Sequence, residues 1–201
     1  MPNALVATPS FPPNSVKELV DYLRKNPNTV SFASSGTGSS DHLTAALFWQ
    51  KTGTTGIHIP YKGGSAAHTD IIAGNANVSF QNLGSITNHV RAGRMKLLAV
   101  TADKRDPTFP NVPTMAEAGV PGLEVYSWQA FAAPKGLPKD AYAKLQAAFI
   151  GALKDPEVQK KFNEIGFDVV ANTPAEFMTF LTDELGRWKQ VVDAGGIKQT
   201  D

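Results

Sequence analysis

VSFASSGTGSSDHLTAALFW, residues 30–49, changes character twice. Val30, Ser31, Phe32 and Ala33 alternate apolar with small polar residues, the period of a short strand. Ser34 to Ser39 are small, polar and glycine-rich. From Ser40 onward Leu43, Ala46, Leu47 and Gln50 recur at steps of three and four, the period of a helix. A strand, a glycine loop and a helix start in direct succession belong to an α/β fold. Such a junction turns free backbone N–H groups outward at the positive end of a helix dipole. Thr37, Gly38, Ser39 and Ser40 are therefore candidates to hold a carboxylate or phosphate, the glycine through close backbone approach and the others with added hydroxyl donors. A plain cap by Ser39 or Ser40, with the glycines making a turn, is the competing reading. The spacing is neither a phosphate loop, since no Lys-Ser/Thr follows the glycines, nor a dinucleotide fingerprint, since the third glycine is missing.

Outward from this stretch the same unit repeats. Ile57 to Pro60 reads as a strand running into Tyr61, Lys62, Gly63 and Gly64, then a helix from Ser65 to Ala73 that stops at Gly74. Val78 to Gln81 is a third strand, followed by Asn82, a polar turn and a helix from about Ser85 to Ala92. Leu97 to Thr101 is a fourth. The order β-α-β-α-β-α-β over residues 30–101 implies a mainly parallel sheet with right-handed crossovers. Ligands of open α/β sheets bind beyond the carboxyl ends of strands, where all three loops lie. Tyr61, Lys62, Gly63, Gly64, Gln81 and Asn82 thus join the candidates. Lys62 offers a cation or is a solvated surface residue, and Gly63 and Gly64 offer backbone.

Before this block, Leu5 to Thr8 reads as a strand. Asn14 or Ser15 caps a helix with Val16, Leu19, Val20 and Leu23 on its apolar face. After it, Thr114 to Ala118 is a short helix and Val125 to Ala133 a strand. Two helices follow, carrying Ala141, Leu145 and Phe149, then Val158, Phe162 and Ile165. Phe167 to Val170 is a short strand. Thr173, Pro174 and Glu176 form a capping box for a last helix whose stripe is Phe177, Phe180, Leu181, Leu185, Trp188 and Val192. Residues 125–201 hold few strands for so many apolar helix faces.

Composition bounds the function. The chain has 201 residues, 42% apolar, with 19 basic and 18 acidic residues and a net charge of +1. That balance provides no electrostatic footprint for nucleic acid. No apolar run reaches the ~18 residues of a membrane span. Without cysteine, disulfides and thiolate metal sites are excluded. His42, His58, His68 and His89 have no metal-ligand spacing, so no metal site is expected. A hydrolase built on Ser40 and His42 is a weak alternative. Two residues apart on a helix they project about 200° apart, and no G-x-S-x-G elbow is present.

The residues VSFASSGTGSSDHL (30–43), HIPYKGG (58–64), VSFQNLGS (78–85), HVRAGRMKLLAVT (89–101), PNVPTMAEAGVPGLEVYSW (110–128) and the APKGLPKD run, in this order, carry a family resemblance. The chain resembles the extracytoplasmic solute receptors of the tripartite tricarboxylate transporter family, the Bug-type receptors. The resemblance implies a type II periplasmic-binding-protein fold with two lobes, a small carboxylate or amino-acid ligand, no cofactor and no enzymatic activity. It further implies a periplasmic location and membrane permease subunits as partners, the chain itself not spanning the membrane. A sensing module presenting the same cleft to a signalling partner is the alternative. By this resemblance residues 1–103 are a nearly complete α/β ligand-binding lobe, 104–127 a crossover, and 128–201 the C-terminal half of the other lobe. A signal peptide and an N-terminal part of the first lobe, present in the family, are expected before Met1. His42, with a structural hydrogen bond as its alternative role, and Trp128, as a cleft wall or as packing at the hinge, complete the candidate ligand-binding set. Family members often carry aspartate where Gln81 stands. The amide would remove a negative charge while keeping a donor, favouring an anionic group over an ammonium at that spot.

Overall fold

The computed structural model describes residues 1–198. The chain divides into two compact units. The larger comprises Pro2–Ser127 and the chain from Arg187 onward; the smaller comprises Met1 and Trp128–Gly186. Of the 128–201 segment read from the sequence, residues 199–201 lie outside the described residues.

The larger unit is built on a five-stranded sheet: β1 (Asn3–Ala7), β2 (Ser31–Ser34), β3 (Ile57–Pro60), β4 (Val78–Asn82) and β5 (Lys96–Val100), in the order β3-β2-β4-β1-β5. β2 pairs parallel with β3 and β4. β1 pairs antiparallel with β4 and β5 on its two sides. The four strands of the β-α-β series therefore run one way, as read, and β1 alone is inverted, so the sheet is mixed. The local pattern of β1 could not show this, because its partners lie some seventy to ninety residues downstream in the ladder. Its sequence NALVA is buried at every position, as an apolar strand covered on both faces must be. Leu5 and Ala7 point into one apolar layer with Leu19, Phe32, Phe48 and Phe80. Ala4 and Val6 point into the other with Ala33, Ile71 and Ile86, the two-residue alternation of a strand.

The helices of this unit are α1 (Val16–Lys25), α2 (Ser40–Thr52), α3 (Gly64–Ala73) and α4 (Leu83–Arg91). Ser15 caps α1: its Oγ accepts from Glu18 N at 3.1 Å, and Glu18 Oε2 accepts from Asn14 N at 2.8 Å. The buried positions of α2 are Asp41, His42, Thr44, Ala45, Ala46 and Phe48. The Leu43–Leu47 stripe is only half-buried; the face turned to the sheet is more polar than its leucines suggest. Thr44 repays its burial by accepting from Asn3 Nδ2 at 3.0 Å and donating to Ser40 O at 2.6 Å. Residues 104–125 pack onto the same unit, burying Met115, Val120, Leu123 and Val125, and 115–119 form turns in place of the short helix expected at 114–118.

The smaller unit carries α5 (Lys139–Lys154), α6 (Pro156–Glu164) and most of α7 (Pro174–Gly195). Among the described residues it contains no strand. The strands expected at 125–133 and 167–170 do not form. Val125 still bonds to Thr101 and Asn3, and Tyr126 makes one isolated bridge to Pro2. Among the described residues no strand ladder continues past that bridge, and a strand needs a ladder to pair its N–H and C=O groups. The α7 capping box forms as read, with Thr173 N donating to Glu176 Oε2 at 2.7 Å and Glu176 N to Thr173 Oγ1 at 3.3 Å. Its apolar stripe does not find a core: Phe180 and Leu185 are exposed, and Val191 is the buried residue of the helix.

Candidate functional site

The carboxyl ends of β2, β3 and β4 each lead through a short loop into α2, α3 and α4. Between them lies a pocket of about 230 Å³, lined by Ser35, Ser40, Asp41, Gly64, Ser65, His68, Gln81, Asn82 and Ser85. Their places in the elements explain its chemistry. Ser40 and Asp41 open α2 behind the cap Ser39. Gly64 and Ser65 open α3 behind Gly63. Asn82 precedes α4, and Ser85 lies in its first turn. Three helix N-termini thus face one cavity, each bringing a partial positive charge and first-turn N–H groups. Neither α3 nor α4 has a side-chain cap. At the α3 cap the backbone needs φ +101, a conformation that glycine adopts at no steric cost.

Beneath these donors runs a chain of side chains. Asp41 is buried, and its carboxylate accepts from Ser35 N at 2.6 Å, Ser35 Oγ at 2.9 Å and Gln81 Nε2 at 3.1 Å. Gln81 Nε2 also donates to Ser79 Oγ at 2.8 Å. With its amide N–H groups committed there, Gln81 Oε1 must accept from His68 Nε2, 2.9 Å away. That fixes the His68 proton on Nε2. Burial holds the His68 pKa below the ordinary histidine value against the Gln81 bond, and His89 adds to the lowering. Asn82 Oδ1 is buried with no hydrogen-bond partner.

Of the residues read from the sequence, Ser40, Gly64, Gln81 and Asn82 come together in this pocket. The others sit elsewhere. Gly38 N donates to His42 Nδ1 at 3.0 Å, and Thr37 lies beside it on the loop. Ser39 acts as the cap, its Oγ accepting from His42 N and donating to Gly36 O at 2.6 Å. His42 is buried behind the loop, its ring stacked on His58 at 3.6 Å and 4°. Tyr61 donates its hydroxyl to Asp70 at 2.7 Å, and burial with that bond pushes its pKa up to about 12. Lys62 is exposed, and Gly63 N donates to Ser35 O at 3.1 Å. Trp128 belongs to the smaller unit, edge-on to Phe177 and Phe180 at 5.7 and 5.6 Å. No hydrogen bond joins Ser40 to His42, whose Nδ1 is already taken by Gly38.

Sequence reading passed over Ser35, Asp41, Ser65, His68 and Ser85 as pocket residues. For His68 a signal existed: it lies four residues after Gly64, hence on the same helix face. Asp41 gives no such signal, because its donors, Ser35 and Gln81, come from other elements. Among the described residues no group of three or more His, Asp or Glu could hold a metal ion, and no helix is long and apolar enough to cross a membrane.

Comparison with known proteins places these features in context. Residues 1–197 match the family described as the tripartite tricarboxylate transporter family receptor. The chain is 34% identical over 198 residues to protein BugT of Bordetella pertussis, an alignment covering 98% of this chain and 61% of BugT. An R. palustris protein, Rpa4515, solved with adipate, superposes with a TM-score of 0.90 at 34% identity, over 98% of this chain and 66% of its own. The periplasmic binding protein BugD superposes at 0.89 with 32% identity, over 99% and 67%. The chain thus spans about two thirds or less of the length of each of these relatives.

Proposed function

The chain belongs to the tripartite tricarboxylate transporter receptor family, and from that premise we propose that it captures a small carboxylate in the periplasm and delivers it to membrane permease subunits. The observation that carries this reading is the convergence of three helix N-termini, two of them without a side-chain cap, on one pocket. A carboxylate seated there takes the first-turn N–H groups that the protein leaves open, and the three dipoles add in its favour. The ligands of Rpa4515, with adipate, and of MatC, with bound malate, agree with that chemistry. The site suits a receptor better than a hydrolase, because Ser40 has no base and His42 is spent on the loop. The larger unit is then the ligand-binding lobe.

Thermal unfolding of the 201-residue chain with a panel of mono- and dicarboxylates tests the reading. A ligand held only by the folded state adds about 2.7 kcal/mol at a hundredfold excess over its Kd. A cooperative transition raised by a carboxylate and unmoved by the matching amide supports carboxylate capture. Equal shifts with both would sink it.

A further inference from the structure

The pocket has two faces of opposite hydrogen-bonding character. Its rim donates, through the openings of α2, α3 and α4. Its floor accepts. Gln81 spends both amide hydrogens inward, on Asp41 and Ser79, and its Oε1 accepts from the lining residue His68 with one lone pair left over. A Cβ built on Gly64 at the rim would lie 3.4 Å from that oxygen. Asn82 Oδ1 is a second acceptor, buried and without a donor. Hydrogen-bonded to Gln81 is the carboxylate of Asp41, a residue 4% exposed. Asp41 is the one lining residue with a carboxylate, and no lysine or arginine lines the pocket. All three of its hydrogen bonds come from neutral donors. Thus the glutamine does not make this floor neutral, because the Asp41 carboxylate at the start of α2 is hydrogen-bonded to it.

We infer that the pocket selects an amino carboxylate, with the carboxylate on the helix N-termini and the ammonium on the Gln81–Asn82–Asp41 floor, over a dicarboxylate of the same length. The inference rests on the carboxylate reading above and narrows it. A dicarboxylate brings its second negative charge toward Asp41 with no cation nearby, and it supplies no donor for Asn82 Oδ1 or for the second lone pair of Gln81 Oε1. An ammonium supplies up to three donors and offsets the buried charge. A hydroxyl supplies one donor and no charge.

The test is a four-carbon series titrated calorimetrically into the 201-residue chain near neutral pH: butyrate, 2-hydroxybutyrate, 2-aminobutyrate and succinate. The expected order has 2-aminobutyrate tightest, ahead of succinate by about tenfold or more in Kd. In Asp41→Asn the charge is gone, and the two should come within about threefold of one another. If that variant fails to fold by circular dichroism, the ranking on the unaltered chain decides alone. Succinate or 2-hydroxybutyrate binding best overturns the inference and leaves the carboxylate reading standing. Binding by none of the four overturns both.

Discussion

His42 and His58 lie face to face behind the glycine loop, and burial disfavours protonation of both. Burial and, after it, the adjacent His42 hold the His58 pKa down at about 4, with Asp41 opposing both only in part. Burial lowers His42 as well. His42 Nδ1 must stay unprotonated to accept from Gly38 N, and His58 Nε2 bonds Ser34 Oγ at 2.6 Å. A base whose folded pKa lies below its unfolded value binds fewer protons when folded. Stability is therefore full above the unfolded histidine value of about 6.5 and falls as pH drops toward about 4. The melting temperature should decline across that window, and His58→Gln should flatten the decline; an unchanged slope would exclude the stack as its source. Gly56 governs packing on the same sheet. A Cβ there would come within 2.8 Å of the Phe32 and Trp49 rings, which are themselves edge-to-face at 5.0 Å. Gly56→Ala should cost ~1–3 kcal/mol in urea unfolding, whereas alanine at the exposed Gly151 of α5, where a Cβ meets nothing, should slightly stabilise the helix.

At the scale of elements, caps and turns carry the local code, and they can be tested one at a time. Ser15→Ala removes the acceptor for Glu18 N and half of the reciprocal pair at the start of α1, so it should lower stability by ~1 kcal/mol in urea unfolding. The same logic made the β-α-β series legible from sequence: Gly53 and Gly74 end α2 and α3 in the left-handed conformation, and each strand shows its own short pattern. What was not legible depends on pairing between distant residues. Nothing in NALVA says that Leu5 faces Phe80 across one ladder and Ala99 across the other. VYSWQAFAA has the composition of a strand, yet among the described residues no ladder forms along it beyond the Tyr126 bridge. The site divides in the same way. Ser40, Gly64, Gln81 and Asn82 were visible because they sit where a strand pattern gives way to a helix pattern. The roles of Asp41 and His68 arise from Gln81, forty and thirteen residues away along the chain, and only the folded sheet brings those three together.

At the scale of the whole chain the two units differ in what holds them. The larger unit has apolar layers on both faces of its sheet. In the smaller unit no residue from 128 to 186 is buried, and Phe131, Val170 and Leu185 are 65%, 77% and 63% exposed. What packing it has is between rings: Phe131 stacks on Phe149 at 4.2 Å, and Trp128 meets Phe177 and Phe180. Helices without a covered apolar face gain little from tertiary burial and are marginal on propensity alone. The smaller unit should therefore open at lower free energy than the sheet. The three tryptophans allow this to be read directly, since Trp128 lies in the smaller unit and Trp49 and Trp188 in the larger. A chain with Trp49→Phe and Trp188→Phe reports only on Trp128. One with Trp128→Phe and Trp188→Phe reports only on Trp49, which packs against Phe32 in the core. In urea the Trp128 signal should change first, with a shallow slope because little surface remains to be exposed. The Trp49 signal should follow in a steeper transition. Coincident midpoints and slopes would mean that the two units unfold as one, and that α7, which runs through both, couples them strongly enough to make up for the absent core.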